Sequence, residues 1–350
     1  MGDTLSRRDF IHQAQGVALA TPFLSLLGCS DDGASGLLTL DGRTMGTTYS
    51  VKIAGAPRGL DADLLAREID GLLETVNRQM STYRPDSELS RFNAAAAGTW
   101  TPVSADTRSV IETALRVSRQ TDGAFDPTVG PIVDLWGFGP GDTQQRVPSP
   151  EDIAVVRQTV GFAEVSTQAD APAVTKHAAG VRLDLSGVAK GFGVDKVAEH
   201  LTARGVGNYL VEVGGELRSS GRGPGERPWR VGIEKPSGAP GDLQRVVDLD
   251  RQALATSGNY RIFFERDGHR YSHIVNPRSG RPVDHDLASA TVVAATTMEA
   301  DALSTSLLVL GADAGMKLAA EHDIAAFFVS GRGGSFTETA SPAFERRFTA

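Results

Sequence analysis

Asp301 and Thr305 lie four residues apart in a stretch, 296–311, that reads as a capped helix: Thr296 and Glu299 are spaced as a capping box, and Gly311 is a helix stop. At that spacing the two side chains share one helix face about a turn apart. A carboxylate beside a hydroxyl is a hard oxygen pair of the kind Mg²⁺ takes, because that ion uses few protein groups and fills its shell with substrate phosphates. Such a pair is more often merely solvated or capping, so its company decides. His273 is on the same segment, at the end of a predicted strand and just before the Asn276-Pro277 turn. Histidine is the usual general base near neutral pH, though a histidine in that position also serves as a hydrogen-bonded structural residue.

Four loops add chemistry to this segment. In Asp184-Leu185-Ser186-Gly187-Val188-Ala189-Lys190-Gly191 an acid ends an apolar run and small residues open a helix. The free N–H groups of such a helix start suit phosphate, and Lys190 brings a point charge. Neither the G-x-x-x-x-G-K-[ST] nor the G-x-G-x-x-G spacing is present. The loop Gly123-Ala124-Phe125-Asp126-Pro127 holds an aromatic and an acid in a rigid turn. Thr82-Tyr83-Arg84 puts an aromatic at a helix end, and Thr44-Met45-Gly46-Thr47 puts a methionine at a turn. Tyr, Phe and Met are suited to a planar ring, and all three types are also common core residues.

The elements that must position these residues follow from periodicity. Residues 61–80 repeat apolar positions at three and four, as a helix does, and 104–121, 150–159, 186–203 and 314–322 read the same way. Residues 47–53, 181–185, 209–213, 229–234, 246–249, 289–294 and 325–329 read as strands. Residues 253–258 and 260–265 read as a strand pair around Ser257-Gly258-Asn259, and 330–350 shows little regular pattern. Strands and helices interleave without a strict βαβ repeat. The expected fold is α+β: a single large domain of mixed or antiparallel sheets with helices on one side.

The chain has 350 residues and a net charge of −8, with no basic run outside the N-terminus, which argues against nucleic acid as a partner. Its one cysteine, Cys29, rules out an intramolecular disulfide. Ser6-Arg7-Arg8-Asp9-Phe10-Ile11 is a twin-arginine pattern, followed by an apolar stretch, 17–27, too short to span a bilayer. Leu26-Leu27-Gly28-Cys29 resembles a lipobox, whose cysteine becomes an acylated N-terminus. The reading is an export signal over 1–29, a tether over 30–36 and one functional domain over 37–350. It implies an extracytoplasmic, periplasmic protein held to a membrane by lipid on Cys29.

TMGTTY, STYRPDSELSRFN, GAFDPTVGPIVDLWGFG, LDLSGVAKGFGVD, EVGGELRSSG, ATSGNYRIFF, SHIVNPRSGRP and EADALSTSLLVLG, in this order over residues 37–326, resemble the ApbE family, the FAD:protein FMN transferases. The resemblance implies an ApbE/T-fold-like architecture. It also implies a reaction: FAD is cleaved at its pyrophosphate, FMN passes to a Thr or Ser hydroxyl of an acceptor protein as a phosphoester, and AMP leaves. By that resemblance Met45, Tyr83, Ala124, Phe125, Asp126, Asp184, Lys190 and Ile274 line the FAD site. Asp301, Thr305 and a backbone carbonyl at about Gly187 ligate Mg²⁺, and His273 is the base. The acceptor would belong to an exported or membrane redox system. A flavin-carrier lipoprotein and a Mg²⁺-dependent FAD pyrophosphatase would need much the same cleft, and both stay open at this point.

Overall fold

The computed structural model describes residues 36–140, 144–237, 241–332 and 334–348. The predicted signal 1–29 with Cys29, and tether residues 30–35, lie outside the described residues. The described chain begins with a hairpin of Leu37–Thr44 (β1) and Thr47–Ala54 (β2), paired from Leu37↔Ala54 to Thr44↔Thr47. Both residues of its turn have positive φ, 48° at Met45 and 73° at Gly46. Such turns match the right-handed twist of paired strands. A non-glycine residue with positive φ is uncommon; here the Met45 thioether reaches across to a helix, where a Cβ on Gly193 would meet Met45 Cε at 3.0 Å.

Six further strands join this hairpin: Tyr209–Val213 (β3), Glu216–Ser220 (β4), Ala253–Gly258 (β5), Leu287–Ala294 (β6), Ala325–Ser330 (β7) and Thr337–Ala340 (β8). Their spatial order is their chain order, and every pairing is antiparallel. Alternate residues face opposite sides of a strand, so a sheet buried on both faces needs apolar residues throughout. Four helices cover one face: Ala62–Met80 (α1), Ala105–Gln120 (α2), Ser186–Ala203 (α3) and Thr297–Leu310 (α4). Val51, Ile53 and Val211 meet Leu65 and Ile69 of α1 and Val194 of α3. Ala290, Val292 and Phe328 meet Ile111 of α2 and Leu307 of α4. The intervening residues Leu210, Val293 and Phe327 point the other way. They pack on the hairpin Trp229–Glu234/Leu243–Leu249 and on Phe344 of a last helix, Pro342–Phe348. Each of the Val, Leu, Ile and Phe side chains among them contributes about 1.5–3 kcal/mol by leaving water.

The expected α+β class and the clustering of the main helices on one face hold, with the last helix on the opposite face. Three local expectations do not. Residues 181–185 make no strand, because their backbone groups find other partners. Asn93 takes Leu183 from both sides, with Nδ2 donating to its carbonyl at 2.8 Å and Oδ1 accepting its N–H at 2.7 Å, and Asp184 N donates to Pro127 O at 2.7 Å. Residues 260–265 do not pair with β5, which lies between β4 and β6; instead Phe263–Arg266 pairs with His269–Ser272 in a separate hairpin. The 330–350 segment supplies β8 and the last helix, whose Phe344 is fully buried. Among the described residues no helix is long and apolar enough to cross a membrane.

Candidate active site

Helices α3 and α4 cross at Gly191, where a Cβ would lie 2.4 Å from the Thr297 carbonyl oxygen, so only glycine permits the approach. Asp195 of α3 accepts the Thr297 and Met298 N–H groups, at 3.0 and 2.9 Å, and pairs with Arg218 of β4 at 2.6 Å. It thereby caps α4. Thr296 accepts the Glu299 N–H at 3.3 Å, as the capping box requires, but Glu299 bonds Arg116 at 2.9 Å. A cleft of about 860 Å³ opens beside this crossing.

One wall of the cleft is made of loops. Met45, Tyr83, Ala124, Phe125, Asp126, Asp184 and Ile274 all line it. Tyr83 stands at the rim with 69 % of its surface exposed, while Phe125 is buried. Tyr83 is pushed above its ordinary pKa by partial burial and by the nearby Asp184 and Asp134 charges. Asp126 is fully engaged: Thr128 N and Oγ1 donate to Oδ1 at 2.8 and 2.5 Å, and Phe162 N donates to Oδ2 at 3.0 Å. Burial pushes its carboxyl up and those three donors pull it back. Its carboxylate therefore holds the loop in shape. Asp184 Oδ1 accepts Ser186 N at 2.8 Å and so ties the start of α3 to the same wall.

The floor is charged and short of donors. Gly187, Lys190, Asp301 and Thr305 line it. Asp301 is 2 % exposed, yet its near donors among the described residues are just Gly191 N, 3.1 Å from Oδ2, and Lys190 Nζ, 3.6 Å from Oδ1. Burial pushes its carboxyl above the usual range, against the pull of Lys190. Gly191 N thus ties α3 directly to the Asp301 carboxylate of α4. A Cβ on Gly187 would sit 3.5 Å from Thr305 Oγ1 and 3.1 Å from Phe125 Cε2, so the glycine keeps a small space open beside the hydroxyl. Thr305 Oγ1 lies 3.0 Å from Ser257 Oγ, which lies 2.9 Å from Ser304 Oγ. Among the described residues no group of three His, Cys, Asp or Glu side chains could hold a metal. A cation here would rely on one carboxylate, a hydroxyl and a carbonyl, a hard oxygen set that fits Mg²⁺ better than Zn²⁺.

Lys190 differs from its expected role as a free point charge. Its Nζ contacts Glu216 Oε1 at 2.7 Å as well as Asp301. Burial pulls its pKa down, but the two carboxylates outweigh that and hold it above the ordinary lysine value. Glu216 is 3 % exposed, and its Oε2 has no partner among the described residues.

His273 lines the cleft at the base of the hairpin 263–272. Its Nδ1 lies 3.1 Å from the Ile262 carbonyl, which can only accept, so Nδ1 carries the proton and Nε2 keeps a lone pair. Burial pushes the imidazole down to about 4 against the Ile262 bond, and Lys190 adds to the depression, so the ring is neutral at pH 7. A run of rings braces the hairpin: Trp136 against Tyr271 at 5.4 Å, Tyr271 against Phe264 at 5.1 Å, Phe264 against Phe138 at 5.6 Å. Trp136 itself is pinned by Nε1 donating to Gly280 O at 2.8 Å.

Every residue singled out by sequence, Cys29 apart, thus lines one cleft. Sequence reasoning missed Glu216, Ser257 and Glu212, which line it too. Glu212 is buried, with Gly215 N donating to Oε1 at 2.6 Å, and burial pushes its carboxyl up to about 7. The signal was available: two acids flank Gly214-Gly215 between strands of otherwise apolar character.

The sequence model of the ApbE family matches residues 45–328. The chain belongs to the ApbE family. A Vibrio cholerae protein named FAD:protein FMN transferase is 43% identical over 329 residues, covering 94% of this chain and 97% of its own length. A Haemophilus influenzae protein of the same name is 40% identical over 337 residues, 95% of this chain and 96% of its own. Among solved structures, the flavin transferase ApbE from Vibrio cholerae matches with a TM-score of 0.82 at 41% identity, covering 90% of this chain and 100% of that one. The apo form of the Pseudomonas stutzeri flavinyl transferase ApbE gives 0.82 at 42% identity, covering 92% and 99%. Both share the antiparallel α+β architecture described above.

Proposed function

We propose that this protein transfers the FMN half of FAD to a threonine or serine hydroxyl of an acceptor protein and releases AMP. Its curated relatives carry that activity in their name. The observation that carries the chemistry is His273, held neutral with a lone pair on Nε2, in the same cleft as the Asp301–Thr305 oxygen pair. His273 Nε2 takes the proton of the acceptor hydroxyl as its oxygen attacks the FMN-side phosphorus. A new P–O bond forms, the bridging P–O bond breaks, and AMP keeps the bridging oxygen. Asp301, Thr305 and the Gly187 carbonyl are the groups that would hold Mg²⁺, which when bound supplies charge neutralisation for the pyrophosphate. Tyr83, Phe125 and Met45 offer flat or soft surfaces for the ligand's rings.

The N-terminal twin-arginine and lipobox patterns support export in the folded state and a lipid anchor on Cys29. On this reading the cleft lies outside the cytoplasm, and the acceptor would be part of an exported or membrane redox system. A Cys29→Ser variant should move from the membrane to the soluble fraction; a variant still bound to membrane contradicts the anchor.

Incubation with FAD, Mg²⁺ and a threonine-bearing acceptor tests the reaction. Flavin fluorescence on the acceptor after denaturing electrophoresis is the expected result. Free FMN with AMP and an unlabelled acceptor would mean that water is the nucleophile, and intact FAD would mean a carrier.

A further inference from the structure

We infer that Glu216 is a positioning residue for the divalent-cation site: it holds the Lys190 ammonium away from Asp301, so that the Asp301 carboxylate stays open to the ion. The inference rests on Asp301 being the ligand proposed above and assigns a task to a side chain that reading leaves idle.

Three elements bring the groups together, with Lys190 on α3, Asp301 on α4 and Glu216 at the start of β4. The ammonium is held unequally, 2.7 Å from Glu216 Oε1 and 3.6 Å from Asp301 Oδ1. The first is a charge-assisted hydrogen bond; the second is beyond hydrogen-bonding range. Asp301 Oδ2 already accepts Gly191 N at 3.1 Å, so Oδ1 is the oxygen left for a further partner. Two buried carboxyl groups share one ammonium. The neighbouring acid Asp195 does not share it, since Arg218 pairs with it at 2.6 Å. Without Glu216, Lys190 and Asp301 would form a neutral pair, and a cation would have to displace a lysine of fixed positive charge to reach Oδ1.

The turn before β4 is built to admit this arrangement. Gly214 has φ of 61°, and a Cβ there would lie 3.4 Å from both Glu216 Oε2 and Lys190 Cδ. Glu216 is 3 % exposed with Oε2 unpartnered. Leaving a buried carboxylate oxygen without a donor costs stability. Such breaches of local rules concentrate where a site needs them. A residue serving only to stabilise the fold would have its second oxygen satisfied, as Asp126 and Asp195 have.

The test is Mn²⁺ binding to the full chain, followed by electron paramagnetic resonance, for wild type, Asp301→Asn, Glu216→Gln, Lys190→Met and the Glu216→Gln/Lys190→Met double variant. Wild type should bind the ion and Asp301→Asn should not. Glu216→Gln should weaken Mn²⁺ affinity by roughly tenfold or more, as loss of a group behind a metal ligand does. The double variant should regain most of that loss, because the competing ammonium is gone. Lys190→Met alone should bind at least as tightly as wild type. The double variant also removes the buried charge pair together, which keeps the comparison readable if Glu216→Gln alone folds poorly. Unchanged affinity in Glu216→Gln, or a double variant as weak as Glu216→Gln, overturns the inference while leaving Asp301 as ligand. A wild-type protein that binds no ion through Asp301 overturns both.

Discussion

The loop wall and the charged floor of the cleft treat the same functional group in opposite ways. On the wall, Asp126 accepts three hydrogen bonds from Thr128 and Phe162, with both carboxylate oxygens bonded. On the floor, Asp301 has one amide donor and a lysine at 3.6 Å, and Glu216 has a lysine on one oxygen and nothing on the other. All three carboxylates are buried, so burial does not separate them. What separates them is whether the protein satisfies the charge itself. A buried carboxylate that the fold has fully bonded holds structure; one left short of donors is ready to bind a cation.

That contrast is open to attack at several points. The largest effect is expected at His273, at the base of the hairpin. His273→Ala should lower the transfer rate by roughly 10²–10⁴-fold while FAD still binds, as measured by single-turnover kinetics and flavin fluorescence quenching. A variant transferring at near wild-type rate removes His273 as base. The same residue sets a pH dependence. With its pKa depressed to about 4, His273 stays neutral well below the ordinary histidine value, so kcat/KM should hold to about pH 5 and fall near 4. The sign for stability follows: the unfolded chain takes that proton below about 6.5 and the folded one resists it, so this contribution is present above 6.5 and is lost as pH falls toward 4. His273→Ala should therefore be less sensitive to acid than wild type.

On the wall, Asp126→Ala strands two buried N–H groups and a hydroxyl, and should cost about 2–3 kcal/mol in denaturant unfolding. If it instead left stability intact and abolished metal dependence, the division between wall and floor would be wrong. A smaller effect is expected at Glu212. Burial raises its carboxyl from the ordinary 4.5 to about 7, so its contribution to stability is fully present below about 4.5 and is lost as the pH rises through 7. Glu212→Gln should stabilise the protein by about 1–2 kcal/mol at pH 9 and change little at pH 4, read from melting at the two pH values.

Much of this cleft was legible in the sequence, because its residues sit in loops and helix starts whose glycines, prolines and caps mark them. Thr296, Glu299 and Gly311 bounded the helix that carries Asp301 and Thr305, and the helix runs between them as expected. Glu216 and Glu212 were marked only by their place beside Gly214-Gly215, and an acid near a strand end ordinarily reads as surface; the pairing of β3 and β4 inside the sheet is what shows that both acids are buried. The 181–185 stretch was misread for a related reason. Its apolar alternation is real, but the partner of Leu183 is the Asn93 side chain, ninety residues away, and no local pattern announces that. The tail was misread because β8 is an exposed edge strand, whose polar residues carry no burial signal.

Direct measurement of Mg²⁺ binding by titration calorimetry on wild type, Asp301→Asn and Asp126→Asn tests the central contrast most plainly. Loss of Mg²⁺ binding in Asp301→Asn with wild-type affinity in Asp126→Asn is the predicted outcome. Retained binding in Asp301→Asn, or loss confined to Asp126→Asn, would contradict it.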